Sequence, residues 1–193
     1  FWEKRKRKGI TQFEARKLMR ERNYYGSMMV EMGDADALIS GITRNYRATV
    51  KPALEVIGKE EGVNNVVGMY IMRTKKGTLF LADTTINLDP TAEEIADMSI
   101  MIAKKVKQFR IKPRIALLSY SNFGSTRTKD SEKMAKAAAI LKEENPNLVV
   151  DGEIQGDFAL DAEKMQRIFP FSPLAEESAN TLIFPNLNAG NMA

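Results

Sequence analysis

The residues Arg114-Ile115-Ala116-Leu117-Leu118-Ser119 decide the fold class, because they form an apolar strand pattern that lies between two helical patterns. Two more apolar runs follow along the chain, Leu148–Val150 and Thr181–Phe184, and a helical pattern separates each run from the next. We predict these two helices over residues 130–144 and 161–169. Strands that alternate with helices are typical of an α/β domain with a largely parallel sheet covered on both faces.

The segment before this stretch predicts a β-hairpin and a long helix. Val66–Met72 and Thr78–Ala82 are rich in strand-forming residues, and the polar turn Arg73–Gly77 separates them. Thr91 and Glu94 then form a Thr-x-x-Glu capping box, in which each side chain satisfies a free backbone amide at a helix start. We therefore expect a parallel or mixed sheet that is flanked by helices.

The N-terminal residues carry a weaker pattern. A second Thr-x-x-Glu capping box begins at Thr11 and predicts a helix to about Arg22, after which Ser27–Met32 has the pattern of a short buried strand. A further helix is predicted over Tyr46–Ile57, which requires Pro52 to lie in its first turns or to bend it.

The charged, glycine-flanked segment Gly58–Gly62 is the best candidate for a hinge. We therefore predict two subdomains, residues 1–60 and residues 61–193. The sequence begins at Phe1 without an initiator methionine and stops directly after a turn signal. We expect an excised piece, in which the first subdomain is only partly present and the C-terminal helices are missing.

The composition excludes several kinds of chemistry. The chain has 193 residues, of which 44% are hydrophobic and 28% are charged, and it contains no cysteine and no histidine. Disulfides, thiolate or imidazole metal ligands and Ser-His mechanisms are therefore excluded. Asp34 and Asp36 lack a further acidic partner at ligand spacing, so we predict no metal site.

The sequence also argues against membrane and nucleic-acid partners. No stretch approaches the roughly 20 apolar residues that span a bilayer, and no signal-peptide pattern occurs, so we predict a cytoplasmic protein without a membrane partner. The basic run Lys4–Lys8 lacks the interleaved aromatic residues that stack on bases. We therefore expect a solvated surface there and no nucleic-acid partner.

Polar residues follow the predicted strands, at the place where ligands of open α/β sheets bind. The four segments concerned are Asp83–Asn87, Ser119–Ser125, Asp151–Gln155 and Pro185–Asn191. The ordinary needs of turns explain any one of them, but their joint occurrence at one edge favours an anionic or polyoxygenated ligand. Ser40–Arg47 adds hydroxyls and two guanidinium groups at a helix start, a pattern typical of a phosphate cradle and equally of exposed arginines beside a helix cap.

Ordered blocks of the sequence resemble the phosphate acetyl/butyryl transferase family and together cover nearly the whole chain. They are Ala35–Gly41, Val50–Leu54, Asp83 with Ile86-Asn87 and Asp89–Glu93, Leu118–Ser121, Asp151-Gly152, and Ile183–Asn191. The resemblance implies an isopropylmalate-dehydrogenase-like α/β fold with two subdomains and a homo-oligomer that is at least a dimer. It also implies transfer of an acetyl group between coenzyme A and phosphate.

By this resemblance the ligand is acetyl-CoA or CoA, with phosphate as a further ligand, in a cleft between the subdomains. The residues that would line the cleft are Ser40, Gly41, Thr43, Arg44, Lys51, Asp83, Ser119 and Asn188. No catalytic residue is assigned. The family's Leu-Ser-Arg-Gly segment and the acidic residues after it follow the Phe-Pro-Asn-Leu block, where this chain ends.

The sequence departs from stand-alone transferases at two places. The first, Thr43-Arg44-x-Tyr46, together with the preceding Asn23-Tyr24-Tyr25-Gly26, looks like the C-terminal domain of large bacterial malic enzymes. Arg44-Asn45-Tyr46 stands where stand-alone transferases carry a His-Thr-Thr or similar run, and Lys51 replaces an arginine. The leading hypothesis is therefore a regulatory and oligomer-forming domain that binds acetyl-CoA. NADP, a divalent metal and malate would bind in a catalytic domain outside this sequence. An active acyltransferase and a scaffold without a ligand are the alternatives, and sequence alone does not separate them.

Overall fold

The computed structural model describes residues 1–193, which form two compact units, Phe1–Asn64 and Asn65–Ala193. The first unit is helical, and the second contains the sheet. The helices of the first unit are α1 (Trp2–Arg5), α2 (Gln12–Leu18), α3 (Arg22–Met32) and α4 (Tyr46–Val56), with a 3₁₀ turn at Lys6–Lys8. The capping box predicted at Thr11 is confirmed at the start of α2.

Helix α3 shows that two predictions for the N-terminal residues were wrong. The predicted strand Ser27–Met32 is the second half of this helix, and α2 ends at Leu18 rather than near Arg22. Asn23, Tyr24 and Ser27 are buried along one face of α3, which is the spacing of a helix. A short apolar run fits a buried helical segment as well as a strand, so its periodicity alone could not decide.

Helix α4 confirms the prediction for Tyr46–Ile57 but places Pro52 in the middle of the helix rather than in its first turns. Proline has no N–H, so the carbonyl four residues earlier, that of Ala48, loses its intrahelical donor. The Asn23 side-chain amide donates a hydrogen bond to this carbonyl at 3.1 Å. Helix α3 therefore supplies the donor that the helix α4 backbone lacks, and this joins the two helices.

A second contact between α3 and α4 is polar and partly buried. The Tyr24 hydroxyl donates a hydrogen bond to Glu55 Oε2, while Glu55 Oε1 lies 3.5 Å from Arg5 Nη2 and 3.8 Å from Lys51 Nζ. Burial, the hydrogen bond to the Glu55 carboxylate and the negative charge of that carboxylate together raise the pKa of Tyr24 to about 12. The neutral phenol is therefore the form that the fold favours.

The second unit is built on a five-stranded mixed sheet of order β1-β2-β5-β3-β4. Its strands are β1 (Met69–Thr74), β2 (Gly77–Ala82), β3 (Arg114–Leu118), β4 (Val149–Ile154) and β5 (Thr181–Ile183). β1 and β2 form the predicted antiparallel hairpin, and β2, β5, β3 and β4 are parallel. The α/β prediction with a mixed sheet is confirmed. The hairpin turn is shorter than predicted, since Arg73 and Thr74 belong to β1.

Helices cover both faces of this sheet. They are α5 (Ala92–Gln108), α6 (Lys129–Glu144), α7 (Gly156–Ala159), α8 (Ala162–Ile168) and α9 (Leu187–Met192), with a 3₁₀ turn at Pro173–Ala175. Ile115 and Leu117 of β3 pack with residues of α5 and α6, whereas Ala116 and Leu118 pack with residues of α7 and α8. This alternation gives the sheet one hydrophobic cluster on each face. None of the helices has the length and apolar character that crossing a membrane requires.

The Pro52 contact predicts a coupling between two substitutions. We expect Asn23→Ala to lower the free energy of unfolding by about 1–3 kcal/mol, because it leaves the Ala48 carbonyl without a donor. In a Pro52→Ala background residue 52 regains its N–H, so the same substitution should cost clearly less. Urea unfolding of both single variants and the double variant measures the coupling.

Ser40→Ala is the matched control for this cycle, because the Ser40 hydroxyl also hydrogen-bonds Asn23, at 2.7 Å, but does not contact the Ala48 carbonyl. The change in free energy of unfolding caused by Ser40→Ala should be the same with Pro52 present or replaced by alanine. An equal effect of Asn23→Ala in the two backgrounds would contradict the proposed donor role.

The raised pKa of Tyr24 predicts a stability change at high pH. The folded-state pKa is about 12, and the unfolded value is about 10. The stabilisation that the neutral Tyr24 phenol gives the folded state is thus complete below the unfolded-state pKa. It is lost as the pH rises through the folded-state pKa. We expect the difference in free energy of unfolding between wild type and Tyr24→Phe to fall as the pH rises between these two pKa values. Urea unfolding at a series of pH values measures it. A difference that stays constant across this window would refute the prediction.

Candidate functional site

The carboxyl ends of β2, β5, β3 and β4 meet at one edge of the sheet, because these strands are parallel. At this edge lies a cavity of about 340 Å³. Its walls come from Leu118–Tyr120 after β3, from Phe184–Asn186 after β5, and from Asp130, Gly156 and Ala189. The site therefore occupies the position at which open α/β sheets bind their ligands.

The walls of this cavity are mainly apolar, with a few polar groups. Ser119 contributes a hydroxyl, Asn186 a side-chain amide and Asp130 the single carboxylate of the lining. The Asp130 carboxylate lies in the first turn of α6, 3.5 Å from Lys133 Nζ. Apolar walls with a small number of oriented polar groups are typical of small-molecule sites. No group of three or more acidic side chains is placed to hold a metal ion.

The serine-rich loop after β3 is held by a buried carboxylate. Glu153 is 2% exposed, and its Oε1 accepts hydrogen bonds from Ser121 Oγ at 2.9 Å and from Gly124 N at 2.6 Å. The prediction that Asp151–Gln155 is a loop was wrong, since β4 continues to Ile154. Polar residues are tolerated inside this strand because the fold itself supplies their partners.

Two amide side chains join the loops that follow β3 and β4. Asn122 Nδ2 donates to Gln155 Oε1 at 2.9 Å, and Asn122 Oδ1 accepts from Gln155 N at 2.8 Å. Gln155 Nε2 also donates to the Tyr120 carbonyl at 2.7 Å. The cavity wall at Ser119 and Tyr120 is therefore held in place from the side of β4.

Asp83, which the family resemblance places in the ligand site, orders its own loop in the structure. It is 4% exposed. Its two carboxylate oxygens accept hydrogen bonds at 2.8–3.2 Å from the backbone amides of Gly68, Thr85, Ile86 and Asn87. A carboxylate offers about four lone-pair positions, so these four backbone amides occupy the acceptor positions of the Asp83 carboxylate.

Helix α9 is pressed against the loop that Asp83 orders. A Cβ atom at Gly190 would lie 2.3 Å from the Asp83 carbonyl oxygen, which is too close for any other residue. Asn186 caps this helix by accepting from Ala189 N at 3.0 Å, and it also lines the cavity. Asn188, the residue named by the resemblance, is exposed and does not line the cavity.

The remaining predicted ligand residues belong to the first unit. Ser40 donates to Asn23 Oδ1 at 2.7 Å, and Lys51 lies 3.8 Å from Glu55 Oε1. Gly41 and Ile42 adopt left-handed backbone conformations, and Thr43 N donates to the Gly41 carbonyl at 2.7 Å. This segment is therefore a tight turn directly before α4.

Arg44 completes this turn and is already engaged. Its Nη1 atom lies 3.0 Å from Glu21 Oε2, with the two side chains 33% and 53% exposed. The guanidinium predicted for a phosphate cradle thus holds a carboxylate of the same unit.

Of the predicted ligand residues, Ser119 alone lines the cavity at the sheet edge. Sequence reasoning missed Tyr120, Asp130, Gly156 and Asn186 as lining residues. Tyr120 and Asn186 lie in the polar segments after β3 and β5, so the sequence pattern did indicate the segments that contain them. Asp130 and Gly156 begin helices, and only the packing of those helices beside the strand ends brings them to the cavity.

Comparison with known proteins agrees with this architecture. The family described as Phosphate acetyl/butaryl transferase matches residues 1–193. The NADP-dependent malic enzyme of Haemophilus influenzae is 38% identical over 100% of this chain and 26% of its own length. The phosphate acetyltransferase of Bacillus subtilis is 40% identical over 100% of the chain and 59% of its own length.

A solved structure, that of a phosphotransacetylase from Streptococcus pyogenes, has a TM-score of 0.83 and 38% identity. The match covers 96% of this chain and 57% of that one. The chain spans less than two thirds of these relatives. The whole-chain match and the shared fold lead to one conclusion: this chain belongs to the phosphate acetyl/butyryl transferase family.

Proposed function

We propose that this chain is the phosphate acetyltransferase-like domain of a bacterial NADP-dependent malic enzyme, and that it binds acetyl-CoA as a regulatory ligand. The observation that carries the proposal is the ion pair of Arg44 with Glu21. A free phosphate would have to displace this carboxylate to reach the guanidinium. Because both side chains are partly exposed, the pair weakens phosphate binding at Arg44 rather than blocking it. It supports a domain that has kept a CoA-type ligand and in which phosphate has become a poor co-substrate.

Lys51 supports the same view. An arginine at this position would offer a planar fork that binds phosphate through two hydrogen bonds, whereas a lysine offers a single point charge. The Lys51 ammonium group also faces Glu55 at 3.8 Å. The Arg44 and Lys51 cations of the predicted cradle are thus partly compensated by carboxylates.

The cavity at the carboxyl edge suits an acyl thioester. Leu118, Phe184 and Ala189 present apolar surface for a short acyl chain. The Ser119 hydroxyl and the Asn186 amide can donate hydrogen bonds to a thioester carbonyl. The chain has neither a histidine nor a cysteine that could act as base or nucleophile. In this proposal, these residues recognise the acyl group.

In this proposal the rest of the protein carries the redox chemistry. NADP, a divalent metal and malate bind to a catalytic domain that this chain does not include. The protein is cytoplasmic and at least a dimer, and acetyl-CoA changes malate turnover because it favours one assembly state over another.

An active phosphate acetyltransferase is the second candidate. The 40% identity to the Bacillus subtilis enzyme favours it as strongly as the malic enzyme relative favours the first. It requires phosphate-dependent release of free CoA from acetyl-CoA by the complete protein. Binding of acetyl-CoA without any such release would exclude it.

The test of the leading proposal uses the complete protein that contains this chain. Acetyl-CoA is titrated by calorimetry, and malate-dependent NADP reduction and oligomer size are recorded on the same preparation. Saturable binding that alters malate turnover supports the regulatory function. Turnover and oligomer size that stay constant at saturating acetyl-CoA would overturn it.

Gly156→Leu tests where acetyl-CoA binds. A Cβ at Gly156 meets no atom within 4 Å, and its backbone is not left-handed, so the new side chain can enter the cavity without straining the fold. We expect acetyl-CoA affinity to fall by about tenfold or more with no loss of thermal stability. Glu143→Leu, on an exposed position of α6, adds the same side chain elsewhere. Equal affinity of the two variants would place the ligand outside this cavity.

A further inference from the structure

A larger cavity lies at the opposite edge of the same sheet. It has a volume of about 510 Å³ and borders the amino ends of three adjacent strands, at Gly77 of β2, at Asn180 directly before β5 and at Arg114 of β3. With strands that rise about 3.3 Å per residue, roughly 15 Å of sheet separates it from the cavity at the carboxyl edge. The function proposed above makes no use of it.

The charged side chains that line this cavity are all positive. Lys75 and Lys76, on the hairpin turn between β1 and β2, and Arg114 at the start of β3 all line it, and no carboxylate does. No ion pair in the structure engages either lysine, and both are exposed. Three cations around one concavity raise the local concentration of anions.

The Arg114 guanidinium is held in a fixed orientation. Its Nε donates a hydrogen bond to the Ser178 carbonyl at 2.7 Å, and its side chain is only 17% exposed. The Nη1 atom pairs with Glu177 Oε1 at 2.9 Å, but the Glu177 side chain is 66% exposed. An exposed partner of this kind contributes little to stability and can swing into solvent. An incoming anion would thus find an oriented fork whose present partner is easily displaced.

The floor of the cavity is rigid because Asn180 ties the amino ends together. Its Oδ1 accepts from Arg114 N at 2.9 Å, its Nδ2 donates to the Lys112 carbonyl at 2.8 Å, and its backbone carbonyl accepts from Phe80 N at 2.8 Å. Asn180 is 5% exposed. A preorganised floor reduces the ordering that binding would otherwise require.

The cavity also has an apolar part. Leu79, Ile111, Leu160 and Ala179 contribute it, while the cations lie toward the hairpin turn and the start of β3. A ligand that matches both parts carries a negatively charged group and a flat, weakly polar body. Inorganic phosphate alone would leave the apolar part uncovered, and a lipid tail would be too long for the volume.

We propose that this cavity is a second ligand site, which binds a phosphorylated small molecule of nucleotide size through Lys75, Lys76 and Arg114. Its phosphates contact the three cations, and its base or other planar group covers Leu79, Ile111 and Leu160. The site does not depend on binding of acetyl-CoA at the carboxyl edge.

The experiment photolabels the complete protein with 8-azido-ADP and identifies the modified peptides by mass spectrometry, so that nucleotide sites elsewhere in the protein are told apart. We expect modification of peptides that contain residues 77–79, 111, 160 or 178–180. Unlabelled ADP should protect them, and so should pyrophosphate at higher concentration, whereas adenosine should protect them poorly because it lacks the phosphates.

Lys75→Gln with Lys76→Gln should reduce this modification by about tenfold, because two of three phosphate contacts lose their charge. Both positions are exposed in a turn, so the fold is retained. Lys17→Gln with Arg20→Gln removes the same charge from exposed positions of the first unit and should leave the modification unchanged. Absence of label from these peptides, or label that the two double variants reduce equally, would overturn the proposal.

Discussion

The short strand β5 is the constraint on which the second unit depends. It pairs with β2 on one side and with β3 on the other, so the hairpin and the β3–β4 pair become one sheet only when β5 is inserted. Its three residues are fully or almost fully buried. Asn180, directly before it, hydrogen-bonds the backbone of Phe80 within β2 and of Arg114 at the start of β3, and so sets where the strand enters. About a hundred residues of chain separate β2 from β5, so their pairing carries the entropy cost of closing a long loop.

This insertion also shapes the cavity at the carboxyl edge and the larger cavity at the amino edge. The carboxyl end of β5 places Phe184–Asn186 beside the end of β3, and its amino end places Ser178–Asn180 beside Arg114. One edge presents hydroxyl and amide groups among apolar side chains, and the other presents cations. The hydroxyl and amide groups collect at the carboxyl edge because the strands are parallel, so the loops that follow them all leave from that edge. The basic hairpin turn and Arg114 supply the charge of the amino edge.

Buried polar groups in this chain serve mostly as internal braces. Asp83 organises the loop after β2, Glu153 organises the loop after β3, and Asn23 supplies the donor that Pro52 removes from α4. Each is buried, and each makes hydrogen bonds to neighbouring backbone or hydroxyl groups, as burial requires. A polar residue at a strand end is therefore not by itself a ligand residue. What distinguishes Ser119 and Asn186 is that they line the cavity at the carboxyl edge, whereas Asp83 and Glu153 do not.

The sequence by itself determined the elements whose signals are local. Capping boxes at Thr11 and Thr91, the hairpin turn, and the alternation of apolar runs with helical patterns gave the α/β class and most element bounds of the second unit, because these signals act over a few residues. The ordered blocks gave the family. Tertiary structure alone decided that Ser27–Met32 is helical, that β4 continues through Asp151 and Glu153, and that Asp130 and Gly156 meet Ser119 at a cavity. Burial, hydrogen-bond partners and the order of strands in a sheet arise from contacts between distant residues, which no local pattern encodes.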